Sequence, residues 1–175
     1  MTYCVYASPI GTLWLATRTG TTLCGLWIQG QKHFARGVSQ PLVPGEAPVL
    51  TQTAQWLDAY FSGLRPNPAA IPLEPDGTAF QRLIRAQLLQ IPYGETTTYG
   101  ALARQAAAAL GREQMSAQAV GGAVGRNPIA ILVPCHRVVG ADGSLTGYAG
   151  GLSKKSWLLS HERGEGPLPG LAPAD

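Results

Sequence analysis

Pro134-Cys135-His136-Arg137 sets a thiol, an imidazole and a guanidinium on consecutive residues, between the apolar runs Ile131-Leu132-Val133 and Val138-Val139. A thiolate is a strong, soft nucleophile, but near neutral pH it forms only beside a base or in positive surroundings. His136 is a base next to it in sequence. On an extended chain successive side chains point to opposite faces, so His136 reaches Cys135 only if the backbone turns or a water bridges them. Pro134 fixes its own φ and pushes Val133 toward an extended conformation, which predicts a nucleophile held on a stiff backbone. The same residues also fit a buried thiol in a core strand followed by a surface histidine. A Cys-His pair alone does not separate the two.

The chain around this stretch has 175 residues, 45% hydrophobic and only 13% charged, which suits one domain or two small ones sharing an interface. No apolar run approaches the ~20 residues of a membrane span, and no leader pattern opens the chain, so a cytoplasmic protein is expected. Cys4, Cys24 and Cys135 are odd in number and widely spaced, without a CxxC pair, so neither a disulfide framework nor a zinc ribbon is expected. The net charge of +3 says little about partners. Its distribution says more: residues 82–137 hold six cations (Arg82, Arg85, Arg104, Arg112, Arg126, Arg137) against Glu95 and Glu113. All six are arginines, whose planar fork suits phosphate, although a solvated basic face reads the same way.

The elements that must position Cys135 follow from patterning. Tyr3–Ala7, Thr12–Thr17 and Thr22–Ile28 read as strands, the last two forming a hairpin around Arg18-Thr19-Gly20, and 37–48 as a loop. Leu50–Leu64 reads as a helix with Leu50, Ala54, Leu57, Phe61 and Leu64 on one stripe. The proline-rich stretch 65–77 reads as a linker, giving an N-terminal α/β unit at 1–75 and a mostly helical unit at 76–164. The first unit offers no catalytic constellation, and His33 reads as a surface residue. In the second, Thr78 caps a helix striped by Phe80, Leu83, Ile84, Leu88 and Ile91. Thr98 caps one from Tyr99 toward Leu110, and Ser116 caps Ala117–Val124. The last two form either a helix-turn-helix or an ordinary hairpin. Gly121, Gly122 and Gly125 are poor choices for stability alone, but they make a helix slim enough to enter a groove. Thr146–Gly151 is a Gly-rich loop with one aromatic. Ser153 is expected to cap the last helix, with Leu152 and Trp157 as a staple. Residues 165–175 read as a flexible tail.

Asn127-Pro128 ahead of Pro134-Cys135-His136-Arg137-Val138, then Gly147-Tyr148, then a helix ending in His161-Glu162, resembles the O6-alkylguanine-DNA alkyltransferases. The likeness is strong over 78–163 and looser over 1–75, where Ser-Pro-Ile-Gly and Tyr60-Phe61-Ser62-Gly63 also match. It implies a ribonuclease-H-like N-terminal unit and a winged-helix-like C-terminal unit. It further implies irreversible transfer of an alkyl group from O6-alkylguanine, and O4-alkylthymine, in double-stranded DNA to Cys135, by a monomer without a cofactor or metal. His136 would activate Cys135 through a water and Glu162 would orient His136, the nucleophile–base–orienter logic of a triad. Asn127 would tie the recognition helix to the active-site loop. Tyr148, Val138, Ala149, Gly150 and Pro134 would form the base pocket, with Tyr148 and the Ala149 N–H polarising the departing guanine. Tyr99 would rotate a phosphate, and Ala117, Gln118, Gly121, Arg112 and Arg126 would meet the duplex while the nucleotide flips out. One position departs from the pattern: Gln118 stands where the family carries an arginine finger.

Overall fold

The computed structural model describes residues 1–165. Three antiparallel strands open the chain: β1 (Thr2–Ser8), β2 (Gly11–Thr17) and β3 (Leu23–Ile28). A short β4 (Val43–Pro44) joins β1 in parallel, so the sheet is mixed, in the order β3-β2-β1-β4, and the expected loop at 37–48 contains a strand. Helix α1 (Pro48–Phe61) packs on this sheet. It begins at Pro48, where a proline's missing N–H costs nothing, and its buried side is Val49, Leu50, Thr53, Trp56, Leu57 and Tyr60. The expected stripe is therefore rotated, and Leu64 lies beyond the helix, 61% exposed.

Residues 65–77 are not a free linker. Pro68–Ala70 form a 3-10 turn, Ile71 is buried, and Leu73 bridges Leu23, with Leu23 N donating to Pro72 O and Glu74 N to Leu23 O. The other part of β3 does the same for the second unit. Leu26 N donates to Pro128 O and Ala130 N to Leu26 O. One hydrophobic cluster runs from Leu13, Leu15 and Leu26 through Leu57 and Ile84 to Val120, Val133 and Leu158.

The second unit holds α2 (Ala79–Leu88), β5 (Thr97–Thr98), α3 (Tyr99–Ala109), α4 (Ala117–Val124), β6 (Val138–Val139) and α5 (Leu152–Arg163). Thr78 and Gln81 close a capping box on α2, and Thr98 and Ser116 cap α3 and α4 as expected. Gly111, at φ 63°, ends the α3 segment in the left-handed conformation that glycine adopts without penalty. Ser153 is not a cap. Helix α5 starts two residues earlier than that cap would allow, after Gly151 at φ 94°, with no side chain closing its N-terminus; Leu152 stays 48% exposed and Trp157 packs on Phe61 and His161. The tail expected at 165–175 lies, from 166 onward, outside the described residues.

Candidate active site

The approach to Cys135 is a series of tight turns and not a core strand. Ile131 sits at φ 66°, Pro134 at φ −81° and ψ 62°, and Cys135 N donates to Val133 O at 2.8 Å. That is an inverse γ-turn at Pro134. Cys135–Arg137 then form one 3-10 turn. Consecutive side chains there diverge by about 120°, not 180°, so the backbone turn needed to keep His136 near Cys135 is present. Asn127 holds the turn from outside: its Nδ2 donates to Ile129 O (3.0 Å) and Val133 O (2.9 Å), and its Oδ1 accepts from Ile129 N (3.1 Å). This amide ties the end of α4 to the residues before Cys135.

Behind Cys135 lies a sealed ionic cluster centred on Glu162, which α5 delivers. Its Oε1 accepts from His136 Nε2 (2.6 Å), Arg137 Nη2 (2.9 Å) and Tyr60 Oη (2.8 Å). Its Oε2 accepts from Arg137 Nε (2.7 Å) and Gly94 N (3.1 Å). Burial alone would raise the Glu162 carboxyl, but the bonds from His136 and Arg137 and the charge facing it hold it well below the ordinary carboxylate range. Burial depresses His136, so the imidazole is neutral and the charge opposite Glu162 is that of Arg137. With Nε2 donating to Glu162, Nδ1 is the basic nitrogen; it is buried and has no hydrogen-bond partner among the described residues. Burial raises the Cys135 thiol, while Asn127 and Lys155 pull the other way. At rest the site therefore pairs a protonated thiol with a neutral imidazole.

Cys135 opens into a cavity of about 10 Å³ that Asn127, Tyr148, Ala149 and Gly150 also line. Tyr148 Oη is buried without a partner among the described residues, and burial, then the Cys135 and Glu162 charges, push its ionisation well above the ordinary phenol value. It is a donor. Pro134 and Val138 lie outside this lining. Both backbone groups of Val138 are engaged, N to Cys135 O and O from Lys155 Nζ, and that carbonyl keeps one lone pair for a base.

Helix α4 exposes Ala117, Gln118, Ala119 and Gly122, with Gly121 half-buried against Tyr99, so its outer face is slim. Arg104, Arg112 and Arg126 are exposed around it. The other three arginines of residues 82–137 bond to the protein itself, although only Arg137 is buried. Arg137 is buried on Glu162 and Ile91 O, Arg82 holds Gly77 O, and Arg85 holds Asp76 O. Tyr99 Oη already donates to Thr146 O at 3.0 Å, so a phosphate contact has to replace that bond.

Two models of 6-O-methylguanine DNA methyltransferase divide the chain, the ribonuclease-like domain over residues 1–75 and the DNA-binding domain over residues 79–164. The chain belongs to the 6-O-methylguanine DNA methyltransferase family. A methylated-DNA–protein-cysteine methyltransferase of Methanosarcina acetivorans is 41% identical, covering 93% of this chain and 98% of the relative. One of Mycobacterium leprae is 44% identical over 89% and 88%. The crystal structure of Mycobacterium tuberculosis OGT in complex with DNA superposes with a TM-score of 0.81 at 40% identity, covering 99% and 96% of the two chains.

Within this family member, sequence reasoning missed three groups at the site. Tyr60, from the unit expected to carry no chemistry, reaches Glu162. Its signal was the spacing Thr53-Trp56-Tyr60 on the buried side of α1. Lys155 is fully buried and donates to Val138 O and Thr146 O (2.7 Å), tying the active-site turn to the Gly-rich loop. Gln31 lines the cavity with Cys135. Nothing in the local sequence marks either of the last two.

Proposed function

We propose that the chain repairs alkylated DNA by direct reversal, with Cys135 Sγ as the irreversible acceptor of the alkyl group from O6 of guanine, and from O4 of thymine. The observation that carries this is the 2.6 Å bond between His136 Nε2 and Glu162 Oε1 inside a sealed cluster, one residue from the thiol. It leaves Nδ1 as a base with no hydrogen-bond partner among the described residues.

Cys135 gives its proton through a water to His136 Nδ1. Glu162 holds the Nε2 proton and stabilises the imidazolium that forms. The thiolate attacks the alkyl carbon, an S–C bond forms, and the C–O bond breaks with its electrons passing to the purine. Tyr148 Oη and the Ala149 N–H polarise the departing base, which gains the proton that the thiol lost. The product is a thioether with no leaving pathway, so each molecule reacts once.

O6 lies inside the base stack, so the nucleotide has to leave it. The slim face of α4 enters the groove, Gln118 takes the vacated place, and Tyr99, Arg112 and Arg126 position the backbone. The protein acts as a monomer in the cytoplasm, without a cofactor. Intact-mass measurement after mixing with duplex DNA containing O6-methylguanine tests the reading. Expected is the added mass of one methylene on Cys135 and a burst equal to the protein concentration. Sustained turnover, or full activity in Cys135→Ser, overturns it.

A further inference from the structure

The cavity beside Cys135, about 10 Å³, has room for about one water. Whatever is transferred must lie against Sγ, so the substituents beyond the reacting carbon depend on which wall can yield. Asn127 is fixed by three hydrogen bonds. Tyr148 is committed to the purine. The remaining polar wall comes from the N-terminal unit: Gln31, in the turn after β3.

Gln31 is only 9% exposed, and its Oε1 accepts from Ile28 N at 2.7 Å, which folds the side chain back over its own turn. The turn and the pocket loop are interlocked at two further points. Lys32 N donates to Ala149 O at 3.0 Å, and a Cβ placed on Gly150 would lie 2.6 Å from Ile28 Cδ1. The turn therefore cannot drift away from the loop, and the loop cannot widen the pocket on this side without breaking that contact.

Resting on the assignment of Cys135 as acceptor, we propose that Gln31 sets the upper size of the alkyl group that the site accepts. The acetamide of Gln31 is the part of the wall that the transfer chemistry does not use. Methyl passes beneath it, and a benzyl group meets it.

The test compares single-turnover rates on one duplex carrying either O6-methylguanine or O6-benzylguanine. Gln31→Ala removes the wall beyond Cβ and is expected to raise the benzyl-to-methyl rate ratio about 10-fold or more, within the range that small changes in pocket volume produce. Gln31→Met keeps the length but loses the Ile28 bond, and is expected to leave the ratio within about twofold of the parent. Gln31→Phe is expected to lower it, and decides the matter alone should Gln31→Ala not fold. An unchanged ratio in Gln31→Ala or Gln31→Phe, or an equal rise in Gln31→Met, overturns the proposal. Failure of the parent chain to take up methyl at all refutes the assignment of Cys135 instead.

Discussion

Tyr60 Oη donates to Glu162 Oε1 at 2.8 Å, so a phenol of the N-terminal unit bonds the same carboxylate oxygen that receives His136 Nε2. Both residues are buried. Burial and the facing carboxylate push the phenol's ionisation well above its ordinary value, so it remains a donor throughout the working range. Tyr60→Phe keeps the stack on Trp56 and the edge contact with Tyr93 and removes only the hydroxyl. We expect a stability loss of about 1 kcal/mol, read from urea midpoints, with DNA affinity unchanged. The carboxylate keeps its other donors, so transfer is expected to slow less than in Glu162→Gln.

Glu162→Gln should slow single-turnover transfer at least 10-fold while leaving DNA affinity nearly unchanged, because the orienter is lost and α4 is untouched. His136→Ala should slow transfer at least as much. Glu162→Gln carries a second consequence: Arg137 loses its counter-charge while buried, which costs about 3–5 kcal/mol. Measuring the rate well below the variant's melting temperature separates the two effects. Weakened DNA binding with an unchanged rate would show that Glu162 does not orient His136.

Acid should unfold the protein through the same cluster. The unfolded Glu162 carboxyl takes up a proton near pH 4.3, about the ordinary glutamate value. The folded one stays ionised to much lower pH. Its contribution to stability is thus fully present above about 4.3 and is lost progressively as pH falls below that, because the unfolded state binds the extra proton. Urea midpoints between pH 5 and pH 3 are expected to fall steeply in the parent and less steeply in Glu162→Gln.

Flipping costs a few kcal/mol of unstacking and unpairing. Gln118→Ala is expected to impair repair of duplex substrate far more than transfer from free O6-methylguanine base, which requires no flipping. Gln118→Arg should be tolerated and steepen the salt dependence of DNA binding by close to one phosphate's worth of counterion release. Equal losses on duplex and free base in Gln118→Ala would make Gln118 a support of the helix, and Arg112 or Arg126 the better candidate.

What the sequence carried was local. Thr78, Thr98 and Ser116 announce their helices because a cap is a bond between neighbours, and the Pro-Cys-His-Arg run with Asn127 upstream carries the family. The shape of the Cys135 turn was not readable. The apolar letters of Ile131–Val133 suit a strand, and only the packing of Asn127 against Ile129 and Val133 bends them into turns. Arg137 looked like a phosphate ligand because charge says nothing of burial; its partner, Glu162, stands on another helix. Tyr60 and Gln31 act across the boundary between the units, where spacing along the chain carries no information.

Strand β3 holds residues 72–74 along one part of its edge and the 128–130 approach to Cys135 along another. Cleavage in the exposed stretch Leu64–Asn67 should therefore not part the molecule. The fragments share one core, and β3 of the first is paired at two places by the second, so they should copurify, and separately expressed halves should regain alkyl uptake when refolded together. The N-terminal half alone would present the open edge of β3, which is a template for aggregation. That makes the protein a natural candidate for a split reporter whose signal is a covalent mark.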